Sequence, residues 1–375
     1  MKKIQILLRS FLILFNIATA PHVHAASWSK EQTEQLEKWI RESPKDALPV
    51  LDDSVLEVAK REGSQTAIDS VATSLALHLA RLHLLGSATP AQKAGWHIAD
   101  GDRTIDLESW LVRALSADAL DTFFDALRPR HPDYGELRAA YTAETNPERR
   151  LTLARNMERW RWLPRSLGQN YVIVNAAFFE ATLWRDGKKV GTWPVIVGKK
   201  STPTPVFSTA ISGVTLNPWW NIPDSIVREM RGRFPASRGY VYSDGRWRQR
   251  PGPNNALGQM KLAMPNPYSV FMHDTPAKIL FKREVRAFSH GCIRTGDALG
   301  FATVLLEGVK TRKEVDAIVA TRKTTTLALP SALPLYVTYF TAATREDRTV
   351  AIQPDIYHRD GRTGDVGNSN RSCSA

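Results

Sequence analysis

The chain has 375 residues, 50 Lys and Arg against 38 Asp and Glu for a formal charge of +12, and two cysteines. Apolar residues make up 43% and charged residues 23%, with 22 glycines and 22 prolines, which excludes a small disulfide scaffold, a collagen-like repeat and a globally disordered chain. The length allows two or three domains, and the charge favours an anionic partner without choosing among nucleic acid, an acidic membrane face and an acidic polymer.

The first residues bear on that choice. Lys2, Lys3 and Arg9 flank a short apolar run from Phe11 to Ile17, and Val23-His24-Ala25 offers small residues at a cleavage site. Residues 1–25 therefore read as a secretory signal peptide, the apolar run being well short of the ~20 residues that span a bilayer. Its removal takes away three cations and no acid, leaving about +9. The expectation is an exported protein that meets cell-envelope polymers and no nucleic acid. Of the two cysteines, Cys292 sits in a dense motif and Cys373 near the end of the chain. Cys292 is read as a retained thiol, with pairing to Cys373 as the alternative.

Residues 27–167 carry helical spacing: Ile68, Val71, Leu75, Leu79 and Leu82 recur at threes and fours, as do Leu111, Leu115 and Leu120 with Phe123 and Phe124 beyond. This segment reads as a helical accessory domain. Its histidines, His78, His83, His97 and His131, share no metal-ligand spacing, and Asp100-Gly101-Asp102 reads as a helix-capping turn. From residue 168 the pattern becomes strand-like. Asp186-Gly187 predicts a hairpin, because both turn positions tolerate positive φ. Further strand signals run through Val206 to Leu216, Lys261 to Met264 and Ser269 to Met272, before helical spacing returns from Leu299 to Val309. Within this domain, 168–344, residues 225–256 read as an insertion. Seven arginines lie between Arg228 and Arg250 against Glu229 and Asp244, interleaved with Phe234, Tyr240, Tyr242 and Trp247, as suits a lid that recruits an anionic polymer. Residues 345–375 are polar and expected to form a partly disordered tail. The fold class is α+β, helices first and a mostly β domain after.

The chemistry concentrates in Phe271-Met-His-Asp-Thr-Pro276 and Ser289-His-Gly-Cys-Ile-Arg294. A nucleophilic cysteine needs an imidazole nearby, and two are available: His290 two residues before Cys292, and His273 at the end of an apolar strand 19 residues earlier. Gly291 permits a tight backbone path where main-chain N–H groups stabilise an oxyanion. No CxxC or HxxxH pair accompanies these residues, which argues against zinc, and no nucleophile elbow, HExxH, P-loop or Rossmann glycine pattern occurs.

A histidine at a strand end followed by Ser289-His-Gly-Cys-Ile-Arg294 resembles the signature of the L,D-transpeptidases, whose catalytic domain is the YkuD type. The resemblance extends over about residues 170–312, through Pro194-Val-Ile-Val-Gly198, Thr202-Pro-Thr-Pro-Val-Phe207 and Leu216-Asn-Pro-Trp-Trp-Asn-Ile-Pro223. It is closest to the larger Gram-negative members, with a helical scaffold domain and a capping insertion. The resemblance implies that Cys292 attacks a peptidoglycan stem peptide with His273 as its base, without cofactor or metal, forming 3→3 cross-links through a thioester. Acylation by carbapenem-type inhibitors is also implied. Gly291, His290 and Ser289 would shape the oxyanion loop. Arg294 would either hold a substrate carboxylate or brace that loop, and Asp274 would orient His273 through its backbone carbonyl. Trp220, Tyr268 and Arg246 join as substrate-facing candidates, and the helical domain is a candidate surface for envelope proteins. Relatives that trim or cleave stems with the same Cys and His form the alternative, beside a non-catalytic peptidoglycan-binding scaffold.

Overall fold

The structure is a computed structural model that describes residues 27–361. The signal-peptide reading of residues 1–25, and Cys373, lie outside the described residues. Seven helices come first: α1 (Lys30–Glu42), α2 (Ser54–Glu62), α3 (Gln65–Leu85), α4 (Leu107–Ser116), α5 (Leu120–Leu127), α6 (Pro132–Ala143) and α7 (Pro147–Trp160). Their starts are written in the sequence. Ser29 and Gln32 close a capping box on α1, and Asn146 accepts from the Glu148 and Arg149 amides ahead of Pro147 in the first turn of α7.

The periodic leucines do what their spacing demands. Leu79 and Leu82 of α3, Leu111 and Leu115 of α4, and Leu120, Phe123 and Phe124 of α5 are buried with Leu36 and Trp39 of α1 in one core, each large side chain contributing about 1.5–3 kcal/mol. The apolar faces of α6 and α7, with Tyr134, Leu137, Leu153, Met157 and Trp160, belong instead to the larger core of the β half. The junction between the two cores is polar. The fully buried Asp46 accepts from Tyr134 Oη at 3.0 Å, Arg138 Nε at 2.9 Å and Arg128 Nη2 at 2.9 Å, while Arg161 donates to the Asp46 carbonyl and to Tyr134 Oη.

The strands are β1 (Trp96–His97), β2 (Asn170–Asn175), β3 (Glu180–Arg185), β4 (Lys188–Gly198), β5 (Val206–Leu216), β6 (Trp220–Asn221), β7 (Tyr240–Ser243), β8 (Arg246–Gln249), β9 (Met260–Ala263), β10 (Met272–His273), β11 (Ala287–Ser289), β12 (Ile293–Thr295), β13 (Thr325–Thr338), β14 (Ala342–Thr344) and β15 (Val350–Ile352). The main sheet runs β1-β5-β13-β2-β3-β4-β12-β10-β9, and β9 pairs again with β5, so the sheet closes on itself and its principal edges are paired. The expected hairpin joins β3 to β4, with Asp186 at φ 49° and Gly187 at φ 72°. Helices α9 (Ala298–Leu305) and α10 (Arg312–Ala320) follow β12. The result is the α+β arrangement that the sequence pattern predicts.

The arginine-rich insertion is folded. Helix α8 (Asp224–Met230) and a small sheet ordered β6-β8-β7 enclose Trp220, Ile222, Ile226, Phe234 and Leu257, and Asp244-Gly245 makes a second hairpin turn with positive φ at both positions. The expected disordered tail needs correction over residues 345–361. β14 and β15 pair, and Ile356 and Tyr357 are buried in the main core. A polar average over thirty residues hides these few apolar side chains, which suffice to anchor the segment.

Candidate active site

Strands β10 and β12 lie side by side in parallel, with Met272 opposite Ile293 and His273 opposite Arg294. The Ile293 N–H donates to the Phe271 carbonyl at 3.0 Å. Alternation along a strand gives Met272 and Ile293 one face and His273 and Arg294 the other, and Cys292, just ahead of Ile293, falls on the His273 side. His273 is fully buried. Its Nδ1 meets the Asp274 carbonyl at 2.5 Å, and a carbonyl only accepts, so Nδ1 carries the proton and Nε2 the lone pair. Among the described residues Nε2 has no hydrogen-bond partner. Burial first, and then the Arg294 guanidinium, push the His273 pKa down to about 3, so the ring is neutral at neutral pH. Asp274 spends its carboxylate elsewhere: Oδ2 accepts from the Gln259 N–H at 2.9 Å and Oδ1 pairs with Lys278. Gly258 has to be glycine beneath it, because a Cβ there would come within 2.3 Å of Oδ2.

The loop carrying Cys292 is pinned from inside and from behind. Ser289 Oγ donates to the Cys292 carbonyl at 2.5 Å and accepts from the Gly291 N–H at 3.0 Å. The Gly291 amide is thus consumed within the loop, which leaves other main-chain N–H groups there for an oxyanion. Gly291 itself has φ 121°, a region that side chains rarely adopt. Behind it, Thr204 Oγ1 donates to the Gly291 carbonyl at 2.8 Å and accepts from the Gly198 N–H at 2.9 Å. Tyr357 Oη donates to the Gly198 carbonyl at 2.5 Å, and Arg359 Nη2 to the Thr204 carbonyl at 3.1 Å.

The remaining candidates separate. His290 reaches outward, its Nε2 2.9 Å from Glu229 Oε2 on α8 and 3.2 Å from Lys199 Nζ, and so ties the insertion to the loop. Arg294 is half-buried, its Nε has no partner, and its guanidinium makes no hydrogen bond or ion pair among the described residues. Trp220 is in the core of the insertion, Tyr268 stacks near Phe207 and His97 with centroids 5.2 and 5.3 Å away, and Arg246 is at the exposed hairpin tip. Trp220 borders the site, because Phe271 packs against its core and the Phe271 ring centroid is 5.5 Å from that of His273. Thr204 and Tyr357 were not singled out from the sequence: Thr204 lay within the quoted Thr202–Phe207 run, and nothing around Tyr357 set it apart from a polar tail.

Cys292 is fully buried and disulfide-bonded in this structure. The expectation of a retained thiol is corrected accordingly: the structure holds the oxidised form, the one favoured wherever the surroundings are oxidising. A nucleophilic role belongs to the reduced form, since the thiolate is the attacking species.

Residues 169–315 match the YkuD family, described as the L,D-transpeptidase catalytic domain. Over those residues the β half is similar to L,D-transpeptidase catalytic domains. Residues 23–140 match a second family, described as the Scaffold domain, so the match to the catalytic family is preceded by a match in the helical half. A curated Haemophilus influenzae protein named "Putative L,D-transpeptidase" is 31% identical over 247 residues, covering 58% of this chain and 50% of that one. The chain thus spans about half the length of this curated relative. Among solved structures, an L,D-transpeptidase from Mycobacterium smegmatis is 13% identical, covering 45% of this chain and 58% of that one, with a TM-score of 0.26. L,D-transpeptidase 3 from Mycobacterium tuberculosis is 14% identical, covering 45% and 61%, with a TM-score of 0.26.

Proposed function

We propose that the reduced protein is a peptidoglycan L,D-transpeptidase that forms 3→3 cross-links. The observation that carries this reading is His273, a neutral buried imidazole whose Nε2 lone pair is unused, on the strand beside the Cys292 segment. His273 Nε2 takes the thiol proton as Sγ attacks the carbonyl of the third residue of a tetrapeptide stem. The C–N bond to the terminal D-Ala breaks, the His273 proton leaves on the D-Ala amine, and the stem remains as a thioester. The side-chain amine of a second stem then attacks. It gives its proton to His273, the C–S bond breaks, and the sulfur recovers a proton. One amide is broken and one formed, so no ATP or cofactor is required. On this reading the mature chain works in the periplasm and is acylated by carbapenem-type inhibitors, and its helical half is available to envelope proteins.

The test is mass spectrometry of muropeptides after incubating tetrapeptide-rich peptidoglycan with the mature protein, with and without reductant, and with a Cys292→Ala copy. New tetra-tri or tri-tri dimers are expected only from the reduced native protein. Loss of D-Ala or of existing cross-links without new dimers would make it a hydrolase instead, and no change in any sample would leave a peptidoglycan-binding scaffold.

A further inference from the structure

Strand β10 has a second neighbour. In the antiparallel β9–β10 pair His273 stands opposite Lys261, and in the parallel β10–β12 pair His273 stands opposite Arg294. Residues paired across a sheet project to the same face, so Lys261, His273 and Arg294 form one row across three strands, at steps of about 4.8 Å. The contacts agree. Lys261 Nζ lies 3.9 Å from the ring centroid of Phe271, the residue two before His273 on that face, and the Phe271 and His273 centroids are 5.5 Å apart.

The two flanking cations lack counter-charges. Among the described residues neither Lys261 nor Arg294 forms an ion pair or a side-chain hydrogen bond, and Arg294 Nε is buried without a partner. The carboxylate of Asp274, next to His273 in the chain, is already committed to Lys278 and the Gln259 amide. Partial burial holds both cations below their ordinary pKa. A half-buried charge without a counter-ion is unfavourable, and a site that retains two of them beside a reactive dyad is complementary to an anion that arrives with the substrate. Arg294 also makes none of the loop contacts that a bracing role requires, which removes one of its two expected roles.

We propose that Lys261 and Arg294 together form a subsite for the C-terminal carboxylate of the leaving residue, so that the enzyme selects stems ending one residue beyond the attacked carbonyl. Arg294 is two residues past Cys292 on the same strand face, about 6–7 Å along the chain. A carboxylate one residue beyond the attacked carbonyl lies about 3.8 Å further on, within reach of a guanidinium on that spacing. Arg294 offers a planar fork to the carboxylate and Lys261 a point charge from the other side of His273. The subsite rests on the reading proposed above, with the acyl acceptor left open.

The experiment is calorimetric binding to Cys292→Ala protein, which is blind to turnover. The ligands are the stem tetrapeptide as the free acid, the same peptide as its C-terminal amide, and a pentapeptide extended by one D-Ala. The free acid should bind at least ten-fold tighter than the amide or the pentapeptide, with the gap narrowing as salt rises. Lys261→Met and Arg294→Gln should each shrink the gap to under three-fold, and Arg294→Lys should restore part of it. Thermal melting reports whether each variant is folded. Equal binding of acid and amide, equal weakening of both by the variants, or no binding of any peptide would each overturn the subsite. Selective binding in this assay together with no new dimers from the native protein would instead refute the transpeptidase reading and spare the subsite.

Discussion

Thr204→Val is the cleanest perturbation of the catalytic loop, because it removes a hydroxyl and keeps the shape. Thr204 is fully buried, and its Oγ1 serves the Gly198 N–H and the Gly291 carbonyl at once. Valine leaves both without a partner in a dry place. Each orphaned backbone group costs about 1–3 kcal/mol, so with the lost hydroxyl's own desolvation credited back the variant should lose about 2–4 kcal/mol. For a domain of this size that is roughly 4–16 °C in the melting transition of the β half. Gly291 immediately precedes Cys292, so a shift of this carbonyl moves the nucleophile. A displacement on the order of 1 Å is enough for a 10²-fold loss in acylation rate. The assay pairs urea unfolding with stopped-flow acylation of the reduced protein by a carbapenem, and Thr204→Ser serves as the control that keeps the hydroxyl and drops a methyl. Thr204→Ser should hold its acylation rate within a few-fold. If Thr204→Val melts within a degree of the native protein and is acylated at the native rate, the loop is not positioned from behind and the reasoning fails.

Three further outcomes are expected. Asp46→Asn strips the charge that Arg128 and Arg138 share and should destabilise by about 2–4 kcal/mol in urea unfolding, less than a fully buried pair would lose because both arginines keep some contact with solvent. Gly291→Ala meets nothing closer than the Thr202 carbonyl at 3.9 Å, so its cost is backbone strain at φ 121°. About 1–3 kcal/mol of stability and most of the acylation rate should go, and a crystal structure with an unmoved loop and full activity would contradict this. His83 and His131 are buried with pKa values pushed by desolvation to about 3, against about 6.5 in the unfolded chain. The unfolded state therefore binds more protons below pH ~6.5, and stability should fall as pH drops from there toward 3, by about 1.4 kcal/mol per pH unit for each histidine. His83→Phe, packed against Trp39 and Phe124, should reduce that slope by its own share in unfolding titrations at pH 7, 6 and 5.

Local signals carried the fold. The leucine spacing in α3 to α5, the caps of α1 and α7 and the Asp186-Gly187 turn each act within a few residues, so a reader of the chain can find them. What the sequence could not show was assignment between cores. Nothing local in Leu153, Met157 and Trp160 says that α7 packs on the barrel and not on α3, because the same stripe serves either partner. His273 and Cys292 were legible for the same reason as the turns, as chemically demanding residue types in a tight pattern. Lys261 was not, because its place beside His273 exists only through the β9–β10 register, and a lone lysine in a strand has many bland explanations. That the Gly291 amide is spent on a seryl hydroxyl two residues away was not legible, because only geometry decides such a competition.

Beyond the Ser289 bonds within the loop and the outward tie through His290, the restraints on the loop come from behind it. Asn156 on α7 exchanges hydrogen bonds with Thr341, and Arg159 reaches Asp360 at 2.7 Å and the Arg359 carbonyl at 2.9 Å. Arg359 and Tyr357 in turn hold Thr204 and Gly198, and Thr204 holds Gly291. Helix, C-terminal segment and loop thus form one continuous set of buried polar contacts behind Cys292. A glycine at φ 121° persists only where its surroundings over-determine it, and these contacts supply that determination without using the face that carries His273, Arg294 and Lys261. That face keeps an unspent lone pair and two unpaired cations, while the hydrogen bonds that fix the loop are made out of a substrate's way. A polar backing and an unsatisfied front are what a site needs if its binding energy is to be realised on a ligand and not within the protein.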